Sequence, residues 1–110
     1  VPDGGQDNTY TLPAPIAGSM FRFVYAGGAA DATDAIIITP GNTNFYIGGI
    51  TFLDTDGNAI SSVFSNGSSN SSIQFNVPAG FDVTIMGLNT TNYQIFGNAT
   101  STTAPAFADQ

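Results

Sequence analysis

The stretch Ile73-Gln74-Phe75-Asn76-Val77-Pro78-Ala79-Gly80-Phe81-Asp82-Val83-Thr84-Ile85-Met86 decides the fold class. Ile73, Phe75 and Val77 alternate with Gln74 and Asn76, Pro78-Ala79-Gly80 turns the chain, and Phe81, Val83 and Ile85 then alternate with Asp82, Thr84 and Met86. A period of two puts one set of side chains on one face of a strand and the other set on the opposite face. The same grammar runs outward in both directions. In Ser19 to Ala26, Phe21, Phe23 and Tyr25 alternate with Met20, Arg22 and Val24, so the aromatic face is assigned to the core. Thr9 to Leu12 is a short run stopped by Pro13 and Pro15. Ala35 to Thr39 is a continuous apolar, β-branched run of the kind buried on both faces.

Asn44 to Ile47 and Ile50 to Leu53 flank Gly48-Gly49, where a bulge or kink is expected. Asp54-Thr55-Asp56-Gly57-Asn58 reads as a tight turn, with Asp-Gly supplying positive φ, after which Ala59 to Phe64 pairs back. Beyond the Ser/Asn/Gly loop 65–72 and the stretch quoted above, Tyr93 and Ile95 alternate with Gln94 and Phe96. These runs amount to about eight strands and no helix. The expected fold is all-β: an antiparallel β-sandwich or jelly roll. Residues 1–110 form one domain, with 1–8 and 98–110 expected as extended arms.

The charge is lopsided. The chain has one basic residue, Arg22, against eight acids, all Asp, for a formal charge of −7. Nucleic-acid affinity comes from Lys and Arg displacing counterions, so a nucleic-acid partner is not expected. The same reasoning argues against an anionic membrane surface. His and Cys are absent, which removes His-based acid–base chemistry, thiolate metal sites and disulfides. A Ser nucleophile would lack both a His and a Lys base. No enzyme and no cofactor are expected.

Asp54 and Asp56 open like a calcium loop, but Ala59 and Ser65 stand where such a loop needs Gly and Glu. A hairpin turn is the plainer reading, and Asp54 and Asp56 stay as candidates for a surface calcium site. Asp31 and Asp34 share a loop and could pair as carboxylates, although solvated turn chemistry is the commoner use of loop Asp. Arg22 is either an ordinary intrachain partner of one Asp or an anchor at a subunit interface, where Arg is enriched. Phe45 and Tyr46 follow the turn Pro40-Gly41-Asn42-Thr43-Asn44, and Tyr93 follows Asn89-Thr90-Thr91-Asn92. If these rings are exposed they are candidates for contact with a partner or a sugar, against the commoner core role of aromatics. Sequons begin at Asn66, Asn70, Asn89 and Asn98.

Thr11-Leu12-Pro13-Ala14-Pro15 leading into Ala17-Gly18-Ser19-Met20-Phe21-Arg22-Phe23-Val24, and Thr91-Asn92-Tyr93-Gln94-Ile95-Phe96-Gly97-Asn98-Ala99-Thr100 near the end, form a second kind of signal. With Ile37 to Gly41 and Gly48-Gly49-Ile50 between them, the pattern resembles the small β-domains of tailed-phage virions: capsid decoration (cement) proteins and related fibre domains. Tyr93 departs from the Trp that many of those chains carry. The resemblance implies a structural virion protein, a homotrimer on the capsid surface whose partner is the major capsid protein. The alternative it leaves is a fibre or lectin-like domain that recognises surface glycans.

Overall fold

The computed structural model describes residues 1–2, 5–25 and 34–110. Among these residues there is no helix, and nine strands form: β1 (Asn8–Thr11), β2 (Met20–Tyr25), β3 (Ala35–Ile38), β4 (Phe45–Asp54), β5 (Ala59–Phe64), β6 (Ser72–Phe75), β7 (Gly80–Gly87), β8 (Asn92–Ser101) and β9 (Ala106–Ala108). They make a four-stranded sheet in the order β1-β3-β6-β9 and a five-stranded sheet in the order β2-β7-β8-β4-β5. One core draws on both sheets, with Ile37, Ile73 and Phe75 from the first and Tyr46, Phe81, Val83, Ile85, Tyr93 and Ile95 from the second. Burial of these alternate positions is what holds two sheets face to face in a β-sandwich.

The segment 76–79 carries the chain from one sheet to the other. Phe75 and Phe81, at its two ends, stack with ring centroids 4.2 Å apart and planes 11° apart. Asp34 steadies the crossing: its carboxylate accepts hydrogen bonds from the Val77 amide at 2.8 Å and the Gln74 side-chain amide at 2.7 Å. Val77 sits at φ 40°, a conformation β-branched residues rarely adopt.

Several expectations are corrected. The pairing is mixed rather than antiparallel, because β1–β3 and β4–β8 run parallel. In each case the chain visits the opposite sheet between the two strands and re-enters in its original direction. Ala35 to Thr39 is buried on one face only: Ala35, Ile37 and Thr39 are buried, while Ile36 and Ile38 are half-buried at the outer side. In the β4–β5 hairpin it is Asn58, at φ 51°, that takes the left-handed conformation, and not Gly57.

The expected arms belong to the sandwich. β8 continues through Ser101, β9 pairs with β6, and Phe107 packs edge-on against Tyr46 at 6.0 Å. Beyond β9, the Gln110 side-chain amide donates to Thr39 O at 2.9 Å and to Ser71 O at 3.1 Å, satisfying groups of two fully buried residues. At the other end Asn8 opens β1, and the Val1 ammonium donates to Val24 O at 2.8 Å.

Candidate interaction surface

Strand alternation sorts the five-stranded sheet into an inner face and an outer face. In β7, Phe81, Val83 and Ile85 are buried while Asp82, Thr84 and Met86 face out. Register carries the outer set to the neighbouring strands: Arg22 lies beside Thr84, Thr84 beside Phe96, and Met20 beside Met86. On the far side Leu53 pairs with Ile60 and Gly49 with Phe64.

This face carries an unusual load of exposed apolar side chains. Met20 is 61% exposed, Phe96 46%, Phe64 71% and Ile60 76%, and Val24 adds a smaller one. Scattered single apolar residues are normal on a surface, but five on one sheet face, two of them (Phe64 and Phe96) beside one depression, single this face out as a candidate contact surface. The sequence signal was present in β2, where Met20, Arg22 and Val24 oppose the core aromatics, and in β8, where Phe96 opposes Tyr93 and Ile95. In β5 nothing distinguished the two faces, because Ala59, Ser61 and Val63 are no more apolar than Ile60, Ser62 and Phe64.

A depression of about 390 Å³ opens within this face, lined by Gly48, Gly49, Ile50, Thr51, Ser62, Phe64, Phe96 and Gly97. It lies at the expected bulge. The β4–β8 ladder breaks between the pairs Gly48–Ile95 and Thr51–Asn98. Gly97, at φ 141°, has no room for a side chain: a Cβ there would lie 2.1 Å from Asp82 O. Gly49 is equally tight, with Val63 O 2.3 Å from a Cβ position. Glycines thus floor the depression because neighbouring backbone excludes anything larger, and Phe64 and Phe96 wall it.

Arg22 lies on this face in a bidentate pair with Asp82, at 2.9 and 2.6 Å. The intrachain reading of Arg22 is the one realised in the monomer. The Arg22 hydrogen bond holds the Asp82 carboxyl below its usual range, and the same pair raises the Arg22 guanidinium. Both groups are exposed, so the pair adds little to stability.

The other sequence candidates fall elsewhere. Tyr46 and Tyr93 are fully buried and adjacent in the parallel β4–β8 ladder, so neither reaches a partner or a sugar. Tyr46 OH donates to Ile37 O at 2.9 Å and Tyr93 OH to Pro13 O at 2.6 Å. Burial, with Tyr93 adding to it at Tyr46, pushes both hydroxyls up and keeps them protonated donors. Strand alternation, not the preceding turn, sets their direction. Phe45 is half-buried at the start of β4. It is not brought together with Arg22, which lies on β2 at the opposite side of the sheet.

The Asp54 carboxylate accepts from the Asp56 and Gly57 amides at 2.9 and 3.2 Å, which is turn chemistry. No cluster of three metal-ligating side chains occurs among the described residues. Of the carboxylates Asp31 and Asp34, the first lies outside the described residues, and the second is occupied at the sheet crossing. Two sequon asparagines also do turn work, with Asn66 Oδ1 accepting from the Ser68 and Ser69 amides and Asn89 Oδ1 from those of Thr91 and Asn92. No protein-family model, no curated protein and no solved structure matches this chain.

Proposed function

We propose that this domain is a structural docking module of a tailed-phage virion, a capsid decoration protein that binds the outer surface of the assembled head. The observation that carries the reading is the apolar outer face of the five-stranded sheet, with Met20, Val24, Ile60, Phe64 and Phe96 exposed around one internally neutralised ion pair. A rigid sandwich backs that face, so little order has to be gained on docking. A decoration protein that binds only the assembled shell stabilises it by mass action, and many copies turn a modest contact into a firm one. The sequence favours the non-enzymatic side of the proposal, since it lacks the His, Cys, Lys and Glu that most often supply a base or nucleophile and leaves only Asp among the acids.

The test is copy number in purified virions, by quantitative peptide mass spectrometry against the major capsid protein. Decoration requires a number that scales with the capsid lattice; absence from virions would end the proposal. The second reading, a glycan-binding fibre domain, is favoured by one feature, the depression that places Phe64 and Phe96 beside the hydroxyls of Thr51 and Ser62. A small copy number together with selective binding on a glycan array would support it in place of decoration.

A further inference from the structure

Among the described residues, β5 is an edge strand without the usual protection. Exposed edges are normally guarded by charge, Pro, a bulge or a covering segment. β5 reads Ala-Ile-Ser-Ser-Val-Phe, with no charge and no Pro, and every residue but Val63 is exposed. The opposite edge of the same sheet, β2, is treated differently: it carries Arg22, and the Val1 ammonium occupies Val24 O.

The direction of the free backbone groups follows from two contacts. The Ser65 amide donates to Gly48 O at 2.9 Å, and Val63 O points at Gly49. Odd-numbered residues of β5 therefore face β4, and alternation turns the N–H and C=O groups of Ile60, Ser62 and Phe64 to the open side. The side chains of these same three residues lie on the outer sheet face, opposite Leu53, Thr51 and Gly49.

We infer that β5 pairs with β5 of a second copy of this chain, antiparallel about a two-fold axis through Ser62, joining the two five-stranded sheets into one. The register is self-complementary. Ser62 faces the partner's Ser62, and Ile60, 76% exposed, meets the partner's Phe64, 71% exposed, in two equivalent apolar cross-strand pairs. The electrostatics permit it despite a charge of −7 per chain. The acids nearest the seam, Asp54 and Asp56, sit at the start of β5, so antiparallel pairing places the two turns at opposite ends. The two Ala59 positions are about 20 Å apart along the ladder, beyond a screening length of about 8–10 Å. One strand edge with two apolar pairs is a small contact, so association is concentration-dependent and strengthens with salt. The inference stands independently of the virion reading.

The test uses sedimentation equilibrium of the full chain together with single-cysteine variants, since the chain has no Cys of its own. The expected mass rises with concentration from 11.3 kDa toward twice that value and no further. Opposed residues in a hydrogen-bonded antiparallel pair have Cα atoms about 5.5 Å apart, within disulfide range. Ser62→Cys should therefore cross-link to itself on oxidation. Ile60→Cys alone should not, whereas Ile60→Cys mixed with Phe64→Cys should give the mixed dimer. Ser62→Lys, which sets two ammonium groups face to face at the axis, should abolish the rise in mass while leaving the circular dichroism and melting of the monomer unchanged. A constant monomer mass at all concentrations overturns the inference. So does a three-copy mass, or cross-linking of Ser62→Cys no stronger than that of a Ser68→Cys loop control.

Discussion

Truncation of Phe81 tests the join between the two sheets. Phe81 is 3% exposed, and its ring lies nearly parallel to that of Phe75 of the four-stranded sheet at 4.2 Å and to that of Tyr25 on the neighbouring β2 at 5.8 Å. Phe81→Ala removes about 150 Å² of buried ring surface, or about 4 kcal/mol at roughly 25 cal/mol per Å². That agrees with the range of about 3–5 kcal/mol for Phe→Ala in a core. A domain of this size has a total stability of about 5–15 kcal/mol, so the loss is a large share of it. At about 4 °C or more per kcal/mol, the melting point should fall by at least about 15 °C. Urea titration is the assay, with a lower midpoint and an unchanged slope. A double-mutant cycle between Phe75→Leu and Phe81→Leu should give a coupling of about 0.5–1.5 kcal/mol. A cost under about 1 kcal/mol, typical of a surface site, or zero coupling, would refute the stacked crossing. Phe23, only half-buried, should cost less than Phe81 when cut to Ala.

Gly97→Ala should destabilise by more than Gly67→Ala: both glycines have positive φ, but only Gly97 lacks space for a Cβ, so paired denaturant titrations separate steric exclusion from backbone conformation. Met20→Ser combined with Phe96→Ser should leave stability within about 1 kcal/mol yet abolish cosedimentation with assembled capsids; retained binding would remove the outer face from the docking surface. Asp82 should titrate below the ordinary carboxylate range in an NMR pH series, and Arg22→Ala should bring its midpoint back up. The sign follows from a folded-state pKa below the unfolded one: the contribution of the pair is present above the ordinary carboxylate range and is lost as pH falls through the folded-state value. Because both groups are exposed, the midpoint shift should be modest and the change in melting point correspondingly small.

Local alternation made most of the fold legible. Phe21, Phe23 and Tyr25 do turn inward, and Ile73, Phe75, Phe81, Val83 and Ile85 do form the core. What alternation could not convey is which strand lies beside which. Val77 to Ala79 reads the same whether the chain makes a hairpin or crosses between sheets, and the parallel pairs β1–β3 and β4–β8 depend on that choice. The tail is hard to read for a related reason. Ala106 to Ala108 carries little intrinsic strand preference, and its place is fixed by contacts distant in sequence: the β6 edge, Tyr46 and the buried groups that Gln110 satisfies. At the candidate site, Tyr46 and Tyr93 take the commoner core role rather than the partner-contact one, because a preceding turn says nothing about which way the next residue points. Tyr46 and Tyr93 sit at inward positions, and their exposed counterparts are Phe64 and Phe96.

The distribution of charge separates the outer face from the rest of the molecule. Five of the six described Asp residues lie off the body of the five-stranded sheet or at its ends. Asp7 precedes β1, Asp34 precedes β3, Asp54 and Asp56 belong to the β4–β5 turn, and Asp109 follows β9. Among the described Asp residues Asp82 alone sits in the middle of the outer face, and the chain's one basic side chain is spent on it. Since an exposed pair of this kind contributes little to folding, stability does not account for Arg22. Neutrality of the proposed contact face would. With Arg22 in place, the one carboxylate among the described side chains between Met20, Val24, Phe64 and Phe96 is neutralised, although the chain carries −7. The face can then approach another acidic surface without bringing an unpaired carboxylate into the contact, where burial without a partner would cost several kcal/mol per ion. On the proposed docking role, Arg22 would act through Asp82. Arg22→Ala should weaken capsid binding more than the double variant Arg22→Ala with Asp82→Asn, because only the single variant leaves a carboxylate to be desolvated alone. Equal binding by the two variants would mean that the pair lies outside the contact.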